Sequence, residues 1–97
     1  MNHRIDEMLE PGSKIGILGG GQLGRMLAVA ATRLGFKSHI FEPAENSPAS
    51  QVSFQVSTAS YEDEKALIEF AKDVDVITYE FENIPTNALD ILEKIVP

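Results

Sequence analysis

Cysteine is absent from the 97-residue sequence, which excludes a disulfide scaffold, a thiolate metal site and a cysteine nucleophile. Such a chain fits a reducing compartment. Long apolar runs are missing as well, and none approaches the ~20 residues needed to span a bilayer. The opening "MNHRIDEMLEPGS" carries Asp6, Glu7 and Glu10 where a secretory signal needs an apolar segment. The expected location is therefore cytoplasmic, with no membrane partner. Basic residues are few: eight Lys and Arg against 15 Asp and Glu give a formal net charge of −7. Arg25, Arg33, Lys37, Lys65 and Lys72 are scattered along the chain, so binding of nucleic acid through its backbone phosphates is set aside.

What is present suits one globular domain. Hydrophobic content of 43% with 24% charged residues argues against disorder throughout. The length is near the lower limit for a self-sufficient core. Residues 1–13 have no period and reach Pro11-Gly12, which reads as a loose leader before a domain over 14–97. Lys14–Leu18 (KIGIL) is a short apolar run bounded by glycine, the profile of a buried parallel strand. From Gly21 the period becomes helical, with Leu23, Leu27, Ala30, Ala31 and Leu34 on one face and Met26 as packing. Gly35 is placed for a left-handed cap.

Ser38–Phe41 (SHIF) is again extended and ends at Glu42-Pro43. "PAENSPASQ" is a loop with a helical turn after Pro48. Phe54 and Val56 alternate with polar neighbours, which predicts a strand over 53–57. Ser60 with Asp63 resembles a capping box for a helix whose stripe is Ala66, Leu67, Phe70 and Ala71. Val74–Tyr79 (VDVITY) is a fourth strand, and Pro85 starts a helix carrying Ala88, Leu89, Leu92 and Ile95. The order β-α-β-β-α-β-α predicts an α/β fold, a Rossmann-like three-layer parallel sheet with right-handed crossovers. The last helix would ordinarily lead into another strand, so the chain is expected to be the first domain of a longer protein.

Gly19, Gly21 and Gly24 fit G-x-G-x-x-G between a strand and a helix, where the pattern has meaning. The first allows the tight turn, the second lets a ligand approach the backbone, and the third brings helix and strand together. Gly20 lies inside the same turn. The helix's first N–H groups favour an anion or an electron-rich ligand edge, and Arg25 adds a donor. A ligand belongs at the carboxyl ends of the strands, near the switch between strands 1 and 4. A dinucleotide would need an acid at the end of strand 2, and Glu42 stands there, 18 residues beyond Gly24. These residues alone lean toward an NAD-type domain. Turn geometry without a ligand is the plainer alternative.

"YEFENIP" (Tyr79–Pro85) leaves strand 4 at the same carboxyl edge. In an extended segment Glu80 and Glu82 share one side. Glu80, emerging from an apolar strand, is the candidate ligand contact. Glu82 and Asn83 fit helix capping and dipole placement better, though both can meet a ligand. His39 reads as a packed histidine, and Ser60, Glu62, Asp63 and Glu64 as helix-start chemistry. No hydrolytic triad or metal cluster is apparent, and no catalytic residue is assigned.

Together, "GILGGGQLGRML" and "DVITYEFENIP", with the "FEP" exit of strand 2, resemble the N-terminal domain of the N5-carboxyaminoimidazole ribonucleotide synthetases. These are ATP-grasp ligases of bacterial and fungal purine biosynthesis, and the likeness covers Lys14 to Pro97. The resemblance implies a pre-ATP-grasp domain that helps form the pocket for 5-aminoimidazole ribonucleotide. The full-length enzyme uses ATP, Mg²⁺ and bicarbonate, with carboxyphosphate delivering the carboxyl group to the substrate's amine. ATP and Mg²⁺ are held outside this chain, and a homodimer is expected of the full-length enzyme. Carried over by motif, Gly21, Gln22, Leu23 and Glu80 contact the ribonucleotide, with Gly19, Gly20, Gly24, Arg25, Glu82 and Asn83 as secondary candidates. Glu42 then loses its ribose role and becomes structural. Two other readings stand beside this one: an NAD(P)-binding domain of an oxidoreductase, and a stand-alone nucleotide-binding module.

Overall fold

A computed structural model of the chain describes residues 10–79 together with Ala88, Asp90 and Ile91. The strands are β1 (Lys14–Leu18), β2 (Lys37–Phe41), β3 (Gln55–Ser57) and β4 (Val76–Tyr79). They pair in parallel in the order β3-β2-β1-β4. Helix α1 (Gln22–Arg33) links β1 to β2, and helix α2 (Glu64–Asp73) links β3 to β4. A short 3₁₀ helix at Pro48–Gln51 replaces a full helix between β2 and β3. The Rossmann-like α/β sheet expected from the sequence is the observed fold.

The period of two along each strand divides the core between the two faces. Ile15 and Ile17 of β1, Ile40 of β2 and Val76 of β4 meet Ala28 and Ala31 of α1, with Ala49 from the 3₁₀ helix. On the other face, Leu18 and Phe41 meet Leu67, Phe70 and Ala71 of α2. Gly16 also faces α2. A Cβ there would lie 2.7 Å from Phe70 Cζ and 3.0 Å from Val74 Cγ2, so the missing side chain admits the helix. Ala88 is buried within this second cluster. The helix expected after Pro85 otherwise falls outside the described residues, as do residues 1–9 of the expected leader.

Several local expectations are corrected. The inward stripe of α1 is Gly24, Ala28 and Ala31, one residue (~100°) around the helix from the leucine stripe. Leu23, Met26 and Leu34 are exposed. Small residues let α1 lie close to the sheet, so closeness of approach outweighs side-chain hydrophobicity in choosing its buried face. Asp63, not Ser60, caps α2, and its carboxylate accepts the Ala66 N–H at 3.1 Å. Phe54 precedes β3 and lies on the surface, with Lys37 Nζ 4.6 Å from its ring centroid. A cation over the ring face stabilises this exposed position. Gly35 takes the expected left-handed conformation, with φ +86°.

Candidate functional site

The glycine turn begins where β1 ends. Gly19 has φ +106°, a conformation open to glycine and strained for other residues, and its N–H donates to Phe41 O at 2.9 Å. Gly20 is held through both its backbone N–H and its carbonyl. Its N–H donates to Glu42 Oε1 at 2.8 Å, and its carbonyl accepts the Ala49 N–H at 2.9 Å. A Cβ on Gly20 would stand 2.5 Å from Ser47 Oγ and 2.9 Å from Glu42 Cγ. The central glycine is therefore required by protein packed against it.

Gly21 is the N-cap of α1 in extended conformation, with φ −74°, and it lends no side-chain cap. Its carbonyl accepts the Arg25 N–H at 2.9 Å. The first turn contains no acidic residue, leaving the positive end of the helix dipole without an opposing charge within that turn. Gln22, Leu23 and Arg25 are exposed there, while Gly24 is buried against the sheet. Gln22 and Arg25 also border a shallow concavity of about 590 Å³ along the outer face of α1, with Met26, Val29, Ala30, Arg33 and Leu34. That concavity lies on the helix face, whereas the crevice expected to hold a ligand opens at the strand ends.

The switch point falls where expected, because β1 is flanked by β2 and β4. Leu18 pairs with Tyr79, so the exits of β1 and β4 leave the same edge of the sheet. Glu80 is next in sequence. Glu80, Glu82 and Asn83 lie outside the described residues. The structure thus brings together the glycines, Gln22, Leu23 and Arg25 of the candidate set.

Glu42 follows β2, as a ribose-binding acid would, but both its carboxylate oxygens are engaged. Oε1 accepts the Gly20 N–H, and Oε2 accepts the Ala44 N–H at 2.9 Å. A carboxylate used this way closes the turn internally.

A second cluster was not apparent in the sequence. His39 Nδ1 lies 2.8 Å from Asp73 Oδ2, and His39 Nε2 lies 2.7 Å from Ser57 Oγ. Asp73 Oδ1 also receives Lys14 Nζ at 2.8 Å. With Asp73 ionised, Nδ1 donates to the carboxylate and Nε2 accepts from the Ser57 hydroxyl. The order Ser-His-Asp is that of a hydrolytic relay. The imidazole is 2% exposed, however, and stands edge-on to Phe70 at 4.8 Å between centroids. This burial makes the cluster a cross-brace joining β1, β2, β3 and the end of α2. Desolvation lowers the His39 pKa below 6.5 against the opposing hydrogen bond and charge of Asp73, with Lys14 adding to the fall. For Asp73, desolvation raises the pKa, but the hydrogen bonds and charges of Lys14 and His39 outweigh it and leave the pKa below 3.8. The three groups are far apart in sequence, so only the packing of α2 on the sheet reveals them.

The family model described as the ribonucleotide synthetase preATP-grasp domain matches residues 12–97. The chain belongs to this family. Among its relatives, the N5-carboxyaminoimidazole ribonucleotide synthase of Brucella melitensis is 58% identical over 86 residues, which are 89% of this chain and 24% of that protein. The solved Staphylococcus aureus N5-carboxyaminoimidazole synthetase complexed with ADP superposes with a TM-score of 0.86 at 44% identity, covering 91% of this chain and 24% of that one. The Aspergillus clavatus synthase, solved with ADP and 5-aminoimidazole ribonucleotide, gives 0.77 at 41% identity, covering 89% of this chain and 23% of that one. This preATP-grasp chain thus spans about a quarter of the length of these relatives.

Proposed function

We propose that this chain is the substrate-side domain, over residues 14–97, of an ATP-dependent ligase. The longer protein carboxylates 5-aminoimidazole ribonucleotide with bicarbonate in purine biosynthesis. The observation that carries this reading is the glycine turn at the carboxyl edge of β1, which leaves Gln22 and Leu23 exposed beside the exit of β4. It is supported by the family membership and by the ribonucleotide complex of the Aspergillus clavatus relative.

In this reading the chain binds and orients. The Gln22 amide both donates and accepts hydrogen bonds, which suits hydroxyls or the edge of an aminoimidazole. Leu23 supplies apolar contact beside it. Glu80 accepts hydrogen bonds from the substrate, and Gly21 allows close approach to the backbone. Gly19, Gly20 and Gly24 shape the turn, and Arg25, Glu82 and Asn83 are secondary contacts. Holding the amine in place makes its attack on an activated carboxyl group effectively unimolecular.

The activation step, transfer of a phosphoryl group from ATP to bicarbonate to form carboxyphosphate, belongs to the remainder of the longer protein. Among the described residues, no group of three or more His, Asp or Glu side chains is placed to hold a metal ion. ATP and Mg²⁺ belong to the remainder as well. A homodimer of the full-length protein and a cytoplasmic location complete the reading. No helix among the described residues is long and apolar enough to cross a membrane.

The test is steady-state kinetics of the full-length enzyme. Gln22→Ala and Glu80→Gln are each expected to raise KM for the ribonucleotide or lower kcat/KM by roughly tenfold, about 1.4 kcal/mol of lost transition-state stabilisation. Unchanged kinetics in both variants would overturn the assignment.

A further inference from the structure

The loop after β2 grips one residue of the glycine turn, Gly20, from several directions. Glu42 takes the Gly20 N–H on Oε1 and the Ala44 N–H on Oε2. Ala49 donates its N–H to the Gly20 carbonyl. Ser47, 6% exposed, lies against the Gly20 Cα, where no Cβ would fit. Glu42 is itself anchored, because its N–H donates to Ser57 O at 3.0 Å. One carboxylate therefore ties the turn after β1 to the end of β2 and to the start of its own loop.

Gly20 stands two positions before Gln22 and one before the N-cap of α1. A shift of the backbone at Gly20 moves the cap and the first helical turn with it. Glycine on both sides of Gly20 imposes little conformational restraint of its own, so hydrogen bonds from outside must set the path. A hydrogen bond to an ionised acceptor is about twice as strong as a neutral one. Removing the acceptor leaves a buried N–H without a partner, which the turn relieves by moving.

We propose that Glu42 is a positioning residue for the substrate turn, setting through Gly20 where Gln22 and Leu23 stand. This rests on the reading that Gln22 and Leu23 meet the ribonucleotide. The acid that a dinucleotide motif would offer to a ribose is here turned inward to shape the turn. Specificity then follows from a fixed loop path, since displacement of a contact by about 1 Å is enough to lower rates by up to about a hundredfold.

The experiment compares wild type, Glu42→Ala, Glu42→Gln and Gln22→Ala in the full-length enzyme. Two readouts are taken: KM for 5-aminoimidazole ribonucleotide and for ATP, and hydrogen–deuterium exchange over residues 18–24. Glu42→Ala is expected to raise KM for the ribonucleotide roughly tenfold, leave KM for ATP within about twofold, and speed exchange in that segment. Glu42→Gln, whose amide oxygen still accepts one N–H, is expected to fall between Glu42→Ala and wild type. A purely structural role would lower the folded fraction, and with it the apparent kcat, without moving KM. Ribonucleotide KM within about twofold of wild type in folded Glu42→Ala overturns the proposal. If Gln22→Ala raises that KM in the same experiment, the function reading stands and only the positioning role fails. If neither variant moves it, the positioning role and the Gln22 contact both fail. An effect of Glu42→Ala without one of Gln22→Ala overturns the route through Gln22. Should Glu42→Ala not fold, Glu42→Gln carries the same two readouts, and wild-type values in both overturn the proposal.

Discussion

At Gly20 a hydrogen in place of a side chain lets Glu42, Ser47 and Ala49 close on the turn. The sequence presents three adjacent glycines without distinguishing their reasons. Gly19 is required by its backbone, at φ +106°. Gly20 is required by space, with Ser47 Oγ at 2.5 Å from a would-be Cβ. Gly21 is an N-cap in ordinary extended conformation. Gly20→Ala is therefore expected to destabilise the fold by about 1–3 kcal/mol through overpacking. A second change, Ser47→Gly, is expected to recover part of the loss, because Glu42 Cγ still lies 2.9 Å away. Chemical denaturation of the two variants measures this coupling. Equal stability of Gly20→Ala and wild type would contradict the close packing seen here.

At the scale of elements, β2 sits at the centre of the cross-brace. Its His39 bridges Asp73 at the end of α2 and Ser57 of β3, while Lys14 of β1 reaches the same carboxylate. Glu69, on α2, lines a groove together with His39, Ser57 and Asp73. Burial holds the His39 pKa below 6.5 in the folded chain, so the unfolded state takes up the proton first as pH falls. Stability from the neutral imidazole is full above about 6.5 and declines from there toward the lower folded value. The Asp73 contribution has the same sign and fades below the ordinary value of 3.8, as pH falls through the folded pKa. The thermal midpoint should thus fall between pH 7.5 and 5.5, while His39→Gln lowers the midpoint at pH 7.5 and flattens that dependence. Scanning calorimetry at three pH values checks it, and an undiminished slope in His39→Gln would assign the dependence to other groups.

At the scale of the molecule, the sheet order places both chain exits, after Leu18 and after Tyr79, on one edge. Strand order 3-2-1-4 is shared by dinucleotide-binding halves, so fold alone does not choose the ligand. At the end of β2, the Glu42 carboxylate accepts two backbone N–H groups. Isothermal titration of the full-length protein is expected to show binding of 5-aminoimidazole ribonucleotide and none of NAD(H). NAD(H) binding lost in Glu42→Ala would overturn the ligase reading in favour of an oxidoreductase domain.

The elements themselves were legible because their signals are local. KIGIL, bounded by glycine, is β1 from Lys14 to Leu18. Gly35 caps α1, and the turn after Pro48 is the 3₁₀ helix. The site was half legible: the motif identified the turn, and its pairing with YEFENIP marked the family. The outward positions of Leu23 and Leu34 and the surface position of Phe54 were not legible. Burial depends on how near a helix comes to a sheet, and periodicity carries no measure of distance. By itself the sequence determined strand and helix order, the parallel sheet and the glycine turn between β1 and α1, since each depends on neighbours along the chain. Only the tertiary structure decided that Glu42 faces Gly20 and that His39 joins Asp73 and Ser57. Those contacts link residues 18 to 34 positions apart, which only packing on the sheet brings within hydrogen-bond reach.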